Sequence, residues 1–124
     1  GGLREATIRS LVYIGMAGPG VDERAFEVLR QMRAKHGGLT LAEFKQMLRE
    51  QFFGLLLDRD GALAAIPKML PADAATRAEA LGKIREILSS VGEVSGERAE
   101  RLARIEQLFA AAEPGTAGSG NAAS

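Results

Sequence analysis

The residues best suited to chemistry in this chain are four carboxylates, Asp22, Glu23, Glu93 and Glu97. They stand beside two similar turns, Met16-Ala17-Gly18-Pro19-Gly20-Val21-Asp22-Glu23-Arg24-Ala25 and Ser90-Val91-Gly92-Glu93-Val94-Ser95-Gly96-Glu97-Arg98-Ala99. Clustered oxygen ligands of this kind suit a hard cation, provided two related halves bring the turns together. Helix-start chemistry explains the same acids without a metal: Asp22 caps a helix, and the glutamates complement the positive end of its dipole. Counted as ligands, the four fall short of an all-protein site, so the expectation is no metal and no other cofactor.

The remaining candidates have plainer roles. Asp58-Arg59-Asp60-Gly61 resembles a calcium loop only superficially, because placing Gly61 at the sixth position puts Leu56 first and Pro67 twelfth. Neither is a ligand. The run reads as a turn and a helix cap. His36, the one histidine, precedes Gly37-Gly38 in a last helical turn and has no nucleophile beside it. No catalytic residue is assigned, and the chain is not read as an enzyme. Tyr13, Phe53 and Leu57 are the candidates for contact with a partner, should they prove to be exposed.

These residues must be carried by helices. Leu3 to Met16 repeats apolar residues at helical spacing, with Ile8, Leu11, Val12 and Gly15 on one face. A second helix opens at Asp22, presents Ala25, Leu29 and Met32, and stops at Gly37-Gly38. Thr40-Leu41-Ala42-Glu43 matches a capping box, so a third runs from Thr40 to about Leu57. Its Phe52-Phe53-Gly54-Leu55-Leu56-Leu57 stretch is apolar all round, which predicts the central helix of the domain, with Phe44, Leu48, Phe52 and Leu55 buried. A short helix interrupted by Pro67 follows. Two longer ones close the domain, Ala74 to about Ser90 and, after Ser95, to about Ala112. The two similar turns predict that the first and last helix pairs superpose.

The expected fold is therefore all-α, a compact single domain of five to six helices with two related helix pairs. Gly1-Gly2 reads as a linker or appended dipeptide, residues 3–112 as the domain, and residues 113–124 as a disordered tail of small polar residues. Lys+Arg and Asp+Glu both number 16, giving a formal net charge of +0. Nucleic acid is not expected as a partner without a basic excess. The chain has no Cys, which removes disulfides and thiolate chemistry and fits a cytoplasmic location. No apolar run is long enough for a membrane span.

The segments LVYIGMAGPGVDERAFEVL, LTLAEFKQMLREQFFGLLLD and SSVGEVSGERAERLARIEQLF together resemble the tellurite-resistance-B-like (TerB-like) helical domains. The same stretch is similar to the C-terminal region of long bacterial polyhydroxyalkanoate-synthase-like proteins. The first resemblance implies two helix pairs, each with a glycine turn and an acidic helix start. It also carries an alternative function, a cation-binding tellurite or stress-response module built on Asp22, Glu23, Glu93 and Glu97. The chain departs from the pattern where Pro19 precedes Gly20 and Val91 precedes Gly92, positions at which an acid is expected. The second resemblance implies a non-catalytic C-terminal accessory or interaction domain of a larger cytoplasmic protein. Its partner would be another protein or another part of the same chain, and a homo-oligomer is compatible with it.

Overall fold

The computed structural model describes residues 2–17, 30, 40–91 and 93–111, and among them all regular structure is helical. The helices are α1 (Gly2–Gly15), α2 (Leu41–Leu57), α3 (Arg59–Ala64), α4 (Ile66–Met69), α5 (Ala74–Val91) and α6 (Gly96–Ala111). The fold is a compact all-α domain. The helix expected from Asp22 to Gly37 and the tail lie outside the described residues. So does half of the comparison between the two helix pairs.

The helix ends follow from local chemistry. At the start of α2 the Glu43 N–H donates to Thr40 Oγ1 at 3.1 Å, and the Thr40 N–H donates to Glu43 Oε1 at 2.9 Å. This reciprocal box satisfies two otherwise orphaned donors. Asp58 ends α2 and caps α3, with its Oδ1 accepting from the Gly61 N–H at 3.1 Å. A Cβ at Gly61 would collide with that carboxylate, so glycine is what admits the cap. Pro67 brings no N–H to close the next helical bond, and the chain breaks at Ala65 between α3 and α4. Asp73 precedes α5 and accepts from both the N–H and the hydroxyl of Thr76.

The helix at the centre is α1, not α2, which corrects the sequence expectation. α1 packs against α2, α4, α5 and α6. Ala6, Thr7, Ile8, Ser10, Leu11, Val12, Tyr13 and Ile14 are all buried. Two of these residues, Thr7 and Ser10, carry hydroxyls. In the structure Thr7 Oγ1 donates to the Leu3 carbonyl at 2.8 Å and Ser10 Oγ to the Ala6 carbonyl at 2.7 Å. Hydroxyls satisfied within their own helix can be buried at little cost. α2 by contrast is one-sided. Phe44, Gln51 and Leu55 face inward, Leu48 and Phe52 are half-buried, and Phe53, Leu56 and Leu57 are exposed.

The rest of the core comes from Leu63, Ile66, Ile84, Ile87, Leu88, Ile105, Leu108 and Phe109. Ile84 and Leu88 on α5 and Ile105 and Phe109 on α6 recur at helical spacing, while Leu81 and Leu102 are half-buried at the margin of the core. Each fully buried aliphatic side chain contributes about 1.5–3 kcal/mol.

Two predictions follow from this packing. Leu11→Ala in α1 should lower unfolding free energy by about 2–5 kcal/mol, through lost burial and a cavity. Phe53→Ala should change it by about 0.5 kcal/mol or less. Urea denaturation of the two variants checks the order, and a larger loss at Phe53 would contradict an α1 core. The second concerns acid. The Thr40 N–H, and then its hydroxyl, hold Glu43 below its ordinary value of 4.5, and the Thr76 hydroxyl, and then its N–H, hold Asp73 below 3.8. Their stabilisation is complete above those values and is lost as pH falls through the lower folded-state values. Helical circular dichroism below about pH 4 should therefore decline earlier in an Asp73→Asn variant than in the parent.

Candidate functional site

α1 is locked to its neighbours by arginines that reach the carbonyls at helix ends. Arg9 Nη1 donates to the Ala62 carbonyl in the last turn of α3 at 2.9 Å. Its Nε donates to Gln51 Oε1 at 2.7 Å, and Glu5 Oε2 accepts from Arg9 Nη2 at 3.2 Å and from Gln51 Nε2 at 3.1 Å. One guanidinium thus joins α1, α2 and α3. Arg101 on α6 donates from Nη1 to the Tyr13 carbonyl, in the last turn of α1, at 2.7 Å. Its Cζ lies 4.7 Å from the centre of the Tyr13 ring, a cation–π contact. Buried Arg77 donates to the carbonyls of Pro71 and Ala72 at 2.9 and 2.8 Å, tying down the approach to α5. A cation is favoured where a helix ends in free carbonyls.

Among the described residues, two clefts border this framework. The more polar one, about 240 Å³, lies between α1, α3 and α6. Arg59, Arg101 and Arg104 line it together with Asp60, Glu97 and Glu100, so its charges balance. A balanced lining has no strong field to gather an ion of either sign. The other cleft, about 190 Å³, lies between α1 and α5 and is largely apolar, with Arg4, Glu79 and Lys83 among its lining. Its hydroxyls, Thr7 and Thr76, are spent on Leu3 and Asp73. Both clefts are smaller than the several hundred cubic ångströms usual for small-molecule sites.

The carboxylates singled out from sequence fare unequally. Asp22, Glu23 and His36 lie outside the described residues. Glu93 and Glu97 are exposed, and Glu97 Oε2 is paired with Arg101 Nη2 at 2.8 Å. Among the described residues no three His, Cys, Asp or Glu side chains are grouped to hold a metal ion.

The contact candidates also separate. Tyr13 is 9% exposed beneath Arg101 and is closed to a partner. Phe53 is 52% exposed and Leu57 85%, and Leu56, which the apolar run suggested was core, is exposed beside them. These three fall at i, i+3 and i+4, so they share one face of α2. Gly54 lies within the same stretch, and a Cβ there would meet nothing within 4 Å among the described residues. An exposed glycine in mid-helix costs up to about 1 kcal/mol relative to alanine. Gly54 therefore marks no close helix crossing among the described residues. No described helix is long and apolar enough to cross a membrane.

No family model matches the chain, and no solved structure matches it. It is 48% identical over 112 residues to a curated protein of Rhizobium meliloti described as "Uncharacterized protein in ackA 5'region". The match takes in 88% of this chain and 15% of the relative, so the chain spans about 15% of the relative's length.

The arginine lock predicts a difference between the partners of Arg101. Arg101→Met should destabilise the domain by about 1–3 kcal/mol, because the Tyr13 carbonyl loses a charged donor. Glu97→Gln, which removes a solvent-exposed partner, should cost less than about 0.5 kcal/mol. Equal losses in thermal or urea unfolding would contradict this assignment.

Proposed function

We propose that the chain is a non-catalytic accessory domain that works by protein contact within or beside a larger cytoplasmic protein. The observation that carries this reading is the exposed Phe53–Leu56–Leu57 face; among the described residues Leu41 is the one other large hydrophobic that is exposed. Large exposed apolar groups gathered on one helix face favour a partner over open water. The two small clefts, one balanced in charge and one with its hydroxyls already bonded, offer less to a substrate than this face offers to a protein. The much greater length of the Rhizobium meliloti relative supports a setting in a longer polypeptide. The resemblance to the C-terminal region of polyhydroxyalkanoate-synthase-like proteins supports the same setting and gives its class. The TerB-like likeness bears on the helical framework.

The matching segment of the Rhizobium meliloti relative, produced apart, should bind the remainder of that protein in trans. A substitution at its position matching Leu57 should abolish the binding, read by calorimetry. Failure to bind would contradict the accessory reading. Titration of this chain with calcium, magnesium, zinc and manganese addresses the alternative. The reading predicts no heat of binding. Micromolar affinity lost in Asp22→Asn or Glu97→Gln would favour the cation-binding stress-response module instead.

A further inference from the structure

We draw no further inference here: the strongest candidate, the exposed apolar patch of Phe53, Leu56 and Leu57 at the C-terminal end of α2, is the face on which the accessory reading already rests, and nothing in the structure shows what covers it.

Discussion

The structure depends on enclosing α1, a helix that carries hydroxyls and an arginine into the interior. Thr7 and Ser10 return their protons to the carbonyls of Leu3 and Ala6, so their side chains become in effect apolar. Arg9 cannot be neutralised this way. Its guanidinium stays only slightly exposed, and it meets Glu5, Gln51 and the Ala62 carbonyl instead. Removing one member leaves buried polar groups unpaired, which costs more than the bonds are worth on average. The positions of α2 and α3 around α1 are therefore set by hydrogen-bond geometry as well as by apolar packing.

The same solution recurs at the far end of α1, where Arg101 closes the Tyr13 carbonyl and covers the Tyr13 ring. Helix ends are where backbone groups go unpaired. Placing an arginine there lets a short helix such as α3 be held in a small domain. It also spends cationic side chains on architecture. The polar cleft between α1, α3 and α6 is built partly from such a residue, and its three arginines are matched by three acids. Charge in this protein is arranged to hold helices, which leaves the apolar face of α2 as the surface most in need of a partner.

Much of the fold was legible in the sequence because its signals are local. Thr40 and Glu43 form the box that their spacing announces, Asp58 and Gly61 make the expected cap, and Pro67 breaks the helix where it should. The central helix was misjudged for a physical reason. Phe52 through Leu57 look fully buried because hydrophobicity all round usually means enclosure. The burial of α1 was not legible because the back-bonds of Thr7 and Ser10 cannot be seen in residue types. The candidate site was half legible. Phe53 and Leu57 stand out by type. Leu56 was absorbed into the core pattern, and Tyr13 is hidden by an arginine 88 residues away. No local pattern could have revealed that contact, nor the way Arg9 and Gln51 meet.

The account makes α1 the enclosed core and the outer side of α2 a contact surface. Native-state amide hydrogen exchange of the chain alone tests the division between the two most directly. The account predicts that α1 amides exchange only through global unfolding, while those from Phe53 to Leu57 exchange through smaller openings. Protection of 53–57 equal to or greater than that of α1 would contradict it.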